Sequence, residues 1–165
     1  MAALIEGTPA PDFTLPTTDG KTISLRDALD RGPVVAAFFK ISCPVCQYAL
    51  PYLERIYKAY GNQKVTIVGI SQNNKRDTLA FLKEYRISFP VLLDDTNAYP
   101  VSNAYGLTNV PTTFWIARDG EIEVSSVGWM RKEIEQINRK VAEASGGGAK
   151  PVFEPGEQVA DFRAG

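Results

Sequence analysis

The two cysteines of this 165-residue chain stand together as Cys43-Pro44-Val45-Cys46, and the chain has no histidine. Two thiols at this spacing can exist as a dithiol or be joined as a disulfide, and the sulfur that attacks does so as the thiolate. With Cys43 as the N-cap of a helix, its sulfur meets the unpaired N–H groups of the first turn and the positive end of the helix dipole, both of which favour thiolate. Pro44 then takes the first helical position, where a missing N–H costs nothing. Cys46 falls at the third, on the same side of the first turn, within disulfide reach of Cys43 and pointing back toward the interior. The same pair could otherwise be two small buried apolar groups or half of a zinc site. The zinc option has no second CxxC and no histidine to complete it, so no metal is expected. Lack of histidine also removes the Ser-His-Asp triad, the Cys-His nucleophile and the imidazole general base.

Such sulfurs need a strand to deliver them and a helix to carry them. Val34–Phe39 is a continuous apolar run, the pattern of a strand covered on both faces. A helix is predicted from Cys43 to Tyr60, ended by Gly61-Asn62, with Leu50, Leu53, Ile56 and Tyr57 facing inward and Pro51 kinking it. Before this unit, three prolines at positions 9, 11 and 16 predict an extended arm. Asp19-Gly20 predicts a tight hairpin turn, and Ser24 a cap for a short helix over residues 25–30, stopped by Gly32-Pro33. After it, a second buried strand is expected over 65–70, then a helix over 78–85 capped by Asp77 with Leu79 and Leu82 facing inward. A short strand over 91–93, a short helix over 98–105, a hairpin formed by 112–117 and 121–128, and an amphipathic helix over 131–144 complete the pattern. In that last helix Ile134, Ile137 and Val141 share one face. Strands alternating with helices give an α/β layer fold, and the closing hairpin makes its sheet mixed.

The length fits one domain. Past Gly146-Gly147-Gly148 the composition turns polar with Pro and Gly, so residues 1–145 read as the folded unit and 146–165 as a Gly-linked, flexible extension. Residues 156–162 match residues 7–13 at three of seven positions, which chance explains as well as a repeat does. Eighteen basic residues against 19 acidic ones offer no basic stripe, so nucleic acid is not an expected partner. No apolar run approaches the roughly 20 residues of a membrane span. The N-terminus lacks the basic and apolar regions of a signal peptide, which places the chain in the cytoplasm as written; a chain whose leader had been removed, and which works outside the cytoplasm, would read the same.

The strand Val34–Phe39, the Cys43-Pro44-Val45-Cys46 motif and Pro51, eight residues after Cys43, together resemble the thioredoxin superfamily. Val110-Pro111-Thr112-Thr113-Phe114 resembles its second hallmark, a cis proline in the loop before a core strand, packed against the CxxC. The segment from 71 to 109 is longer than in thioredoxin itself, a central insertion. With Ala10-Pro11-Asp12-Phe13, Phe89-Pro90-Val91 and Ala117-Arg118-Asp119-Gly120 it resembles the redoxin branch, which holds the TlpA/ResA-like thiol-disulfide oxidoreductases and the AhpC/TSA peroxiredoxins. The resemblance implies a thioredoxin-like fold, catalytic roles for Cys43, Cys46 and Pro111, and a peptide-pairing edge at Val110 flanked by Pro44 and Val45. The Cys43–Cys46 pair would itself be the redox centre, with no further cofactor, acting on thiols and disulfides of proteins or small molecules.

The departures from that pattern bear on mechanism. The tryptophan expected before the first cysteine is Ser42, and the acids expected in the first core strand and after the second are Ala37 and Asn73. Lys40 is the titratable group nearest in sequence that could lower the Cys43 pKa. Lys40 also stands where peroxiredoxins place Thr or Ser, and Pro111 or Thr112 stands where they place an arginine, with Arg118 at the far end of that strand. Dithiol–disulfide exchange is therefore the expected activity. A thiol peroxidase with Cys43 peroxidatic and Cys46 resolving, and a redox-sensing binding module, are the alternatives. Trp115 and Trp129 could line the peptide-pairing surface, but packing in the core is the expectation for both.

Overall fold

The computed structural model describes residues 2–61 and 64–165. Among these, the central sheet has five strands in the order β5-β4-β3-β6-β7. They are β3 (Val34–Phe39), β4 (Thr66–Ser71), β5 (Val91–Leu93), β6 (Thr112–Ile116) and β7 (Ile122–Val127). β3 runs parallel to β4 and antiparallel to β6, so the sheet is mixed, as its sequence pattern predicts.

β3 occupies the middle and is buried on both faces, which is why its six residues can all be apolar. Val35, Ala37 and Phe39 look toward α2 (Pro44–Tyr60), α3 (Lys75–Tyr85) and α5 (Arg131–Ala144), sharing a core with Leu50, Leu53, Ile56, Phe81, Ile134, Ile137 and Val141. Val34, Ala36 and Phe38 look the other way, toward α1 (Leu25–Arg31), α4 (Pro100–Ala104) and the N-terminal arm. There Phe38, Tyr105 and Phe114 stack with ring centroids 5.2 to 5.9 Å apart.

The arm forms the expected hairpin, β1 (Thr14–Pro16) with β2 (Thr22–Ser24) around Asp19-Gly20. Ser24 caps α1 by accepting the Asp27 N–H at 3.1 Å. The segment from 71 to 109 holds α3, β5 and α4, and so supplies one sheet edge and cover for both faces.

Three local expectations are corrected. The cap of α3 is Asn74, whose Oδ1 accepts the Asp77 N–H at 2.8 Å, so the helix starts a turn earlier than predicted. Leu82 packs against the core as expected, but the buried residues are Thr78 and Phe81 and Leu79 is 44% exposed, because the packing of Phe81 on Phe39 sets the inward face. Helix α4 is shorter than 98–105: Tyr99 sits in the left-handed region at φ 49° and Pro100 opens the helix. Gly61 ends α2 with its N–H on the Tyr57 carbonyl; Asn62 lies outside the described residues.

The segment past residue 148 folds back on the body of the protein. Val152 is buried, Phe153 packs on Tyr52 and Trp129, and β9 (Phe162–Arg163) pairs with β8 (Trp129–Met130). Its polar composition misleads because a few apolar residues and backbone pairings tie it down.

Candidate active site

Helix α2 begins where β3 ends, at the sheet's C-terminal edge, and its N-cap is Cys43. The Cys43 sulfur accepts the Cys46 N–H at 3.2 Å, the contact that an oxygen makes in an ordinary cap. Cys46 N–H is one of the donors the first turn leaves unpaired, so this contact is available to stabilise negative charge on Cys43. The Cys43 thiol also donates to the Val110 carbonyl at 3.3 Å. Both cysteines are free thiols. They are not equivalent: Cys43 is half-buried and Cys46 is 0% exposed among the residues of the α2 core. Burial pushes the Cys46 thiol well above the usual range, and its hydrogen bond with the Cys43 sulfur adds to the shift.

The Val110–Pro111 bond is cis, as the resemblance implies, and β6, which follows it, is antiparallel to β3. That register places Thr112 opposite Phe38 at the cysteine end of the sheet and Ile116 opposite Val34 at the other. Arg118 therefore lies far from the sulfurs, donating to the Asp30 carbonyl at 2.9 Å. Pro111 is buried, and Val110, whose carbonyl takes the Cys43 thiol, is half-buried; Pro44 is exposed and Val45 half-buried on the first turn. Lys40 enters the site through its backbone, whose carbonyl accepts the Cys43 N–H at 3.3 Å, while its side chain is exposed. Ser42 is exposed on the rim.

Neither substitute for the usual acids supplies a carboxylate. Ala37 is buried in β3, and Asn73 serves another purpose: its Oδ1 accepts the Ile41 N–H at 2.9 Å. Gln47 holds the other side of that residue, donating from Nε2 to the Ile41 carbonyl at 2.9 Å. Together they fix the backbone two residues before Cys43. Gln47 carries no sequence signal of that task beyond being polar one residue after the motif. Among the described residues, no hydrogen bond joins a carboxylate to either sulfur. Trp115 and Trp129 are packing residues, 4% and 0% exposed.

A model of the AhpC/TSA family matches residues 7–125. The chain belongs to this family. Among curated proteins, it is 33% identical over 129 residues to the thiol-disulfide oxidoreductase ResA of Halalkalibacterium halodurans, covering 78% of this chain and 72% of that one. It is also 33% identical over 133 residues to ResA of Bacillus subtilis, covering 80% and 73% respectively. Among solved structures, a thioredoxin-family thiol:disulfide interchange protein from Chlorobium tepidum superposes with a TM-score of 0.69 at 26% identity, over 87% of this chain and 99% of that one. StoA of Bacillus subtilis gives 0.64 at 26%, over 79% and 96%. The fold is thioredoxin-like, the branch is that of the redoxins, and this member of the AhpC/TSA family is an oxidoreductase. Among the described residues no helix is long and apolar enough to cross a membrane.

Proposed function

We propose that the chain exchanges its Cys43–Cys46 dithiol with disulfides, Cys43 being the nucleophile and Cys46 the resolver, with no cofactor beyond the two sulfurs. The observation that carries this reading is the asymmetry of the pair: a half-buried Cys43 at a helix N-cap accepts an N–H at 3.2 Å, and a fully buried Cys46 lies one turn behind it. The Cys43 thiolate attacks one sulfur of the substrate disulfide; a Cys43–substrate bond forms, the substrate S–S bond breaks, and one substrate thiol leaves after taking up a proton. Cys46, on losing its proton, attacks the Cys43 sulfur, closes the Cys43–Cys46 bond and releases the second thiol. The substrate gains two electrons and the protein loses two; the reverse sequence oxidises a dithiol. Val110 and Pro111 bring a main-chain edge to the sulfurs, against which an extended peptide can pair. The ResA relatives, named as thiol-disulfide oxidoreductases, support this substrate class.

The test is insulin reduction in the presence of a thiol reductant. Cys43→Ser is expected to abolish it; Cys46→Ser is expected to abolish turnover and to accumulate a Cys43–substrate mixed disulfide visible by mass spectrometry. Rapid peroxide consumption that survives Cys46→Ser with added thiol would assign a peroxidase instead. Reversible disulfide formation with no turnover of either substrate would assign a redox sensor.

A further inference from the structure

The segment past residue 148 takes no part in the exchange chemistry, yet its Gly165 lies against the carbonyl that touches the nucleophile. Its root is built into the body. Val152 is buried, Arg55 grips Glu157 through hydrogen bonds of 2.7 and 2.8 Å, Trp129 Nε1 donates to the Ala160 carbonyl at 2.6 Å, and the Ala160 N–H donates to the Tyr48 hydroxyl at 3.1 Å. Its tip is laid on from outside: residues 162–165 are all exposed. The tip is held by the two-residue pairing of β8 with β9, by Asn109 Nδ2 donating to the Gly165 carbonyl at 2.9 Å, and by the Arg163 guanidinium 4.2 Å from the Tyr48 ring centroid.

The approach is nevertheless close. A Cβ added to Gly165 would stand 2.6 Å from the Val110 oxygen, the same oxygen that accepts the Cys43 thiol at 3.3 Å. On the opposite side, a Cβ added to Gly128 would stand 2.6 Å from the Arg163 carbonyl. The tip therefore lies on Asn109 and Val110, the main chain an extended substrate would use.

From this placement we infer that residues 162–165 form a specificity gate over Cys43: disulfides of small molecules reach the sulfur with the tip in place, and a protein segment does so only when the tip lifts. The inference rests on Cys43 being the nucleophile of the exchange reaction. An exposed tip held by few pairings opens cheaply, and a buried root keeps it at high local concentration, so it competes in cis with any peptide for the same edge.

Ending the chain after Asp161 removes the tip and leaves every root contact. A tip closed nine-tenths of the time holds back protein substrates about tenfold, so the shortened protein is expected to reduce insulin about tenfold faster, with glutathione disulfide reduction unchanged. Gly165→Val, which forces residue 165 off Val110 without shortening the chain, should move the insulin-to-glutathione ratio in the same direction. A second readout needs no turnover: the rate of Cys43 alkylation by a polyethylene glycol maleimide, divided by that for N-ethylmaleimide, should rise in both variants. Ratios unchanged or lowered in both variants would overturn the gate. A raised alkylation ratio with neither disulfide turned over would leave the gate standing and remove the exchange reading.

Discussion

At the scale of single residues, the chemistry turns on how Cys46 loses its proton. Burial holds that thiol protonated, and the acids that would relay the proton are replaced by Ala37 and by Asn73, whose side chain is committed to Ile41. With Cys46 titrating above the working range, its thiolate fraction grows about tenfold per pH unit, and the resolving step should climb in proportion. Rapid-quench measurement of mixed-disulfide decay from pH 6 to 8 checks this; a flat profile would show that another group takes the proton. Stability follows from the same shift. A folded-state pKa above the ordinary thiol value of 9.0 leaves stability intact below that pH, and the contribution is lost as pH rises beyond it. The cysteine motif was legible because its chemistry depends on residue type and spacing, whereas the cis proline was legible only through the resemblance of residues 110–114 to the thioredoxin superfamily. Asn73 was legible only as a missing acid, since its partner Ile41 is 32 positions away. Asn73→Ala leaves the Ile41 N–H unpaired and should cost about 1–3 kcal/mol in denaturant unfolding, slowing exchange while both sulfurs remain present. Wild-type stability and rate in this variant would assign the clamp no role.

At the scale of elements, α2 followed the sequence closely because cap, proline and stop signals all lie within it. The C-terminal segment did not, because what orders it is distant: Arg55 and Tyr48 on α2, and Trp129 after β7. The Arg55 guanidinium, helped by the Glu154 N–H, draws the Glu157 carboxyl down from 4.5 to about 2. A depressed carboxyl pKa stabilises the docked state above the ordinary value, and that stabilisation is lost as pH falls from about 4.5 to about 2. Acidification through this window should therefore loosen the root before the body unfolds. Trypsin-family cleavage is unsuitable at such pH, but pepsin access to residues near Phe153, followed by mass spectrometry, reads it directly. Glu157→Gln should show the same loosening at neutral pH by native-state proteolysis, and equal protection in the variant and the parent would dissociate the ion pair from docking. In α3, Asn74 and Asp77 are both acceptable caps by type, and it is Asn74 whose Oδ1 takes the Asp77 N–H, while the Phe81–Phe39 packing fixes the inward face.

At the scale of the whole molecule, an α/β fold was legible in the alternation of strands and helices, while the arm's reach across the sheet was not. Residues 7–10 pair with the start of β7 through Gly7 N–H to the Ile122 carbonyl, Ile122 N–H to the Thr8 carbonyl and Ala10 N–H to the Gly120 carbonyl, at 2.8 to 2.9 Å. Thr17 bridges to Leu92 at the opposite edge, and the Thr18 N–H donates to the Val91 carbonyl at 3.1 Å. One segment thus blunts both edges of the sheet, a task that exposed edge strands otherwise leave to charge or bulges. Between the two edges it buries Phe13 and Leu15 over the Phe38 face. Each of those side chains is worth about 1.5–3 kcal/mol, and four backbone hydrogen bonds about 0.5–1.5 kcal/mol each. Deleting residues 1–20 should therefore leave a chain that aggregates or lacks a cooperative transition, whereas deleting residues 162–165 should lower Tm by no more than about 2–4 °C, the effect of roughly 1 kcal/mol in a domain this size. Circular-dichroism melts of the two truncations decide the matter: an arm-deleted chain melting cooperatively near the parent temperature would show that the edges need no cover, and the arm would then require another role.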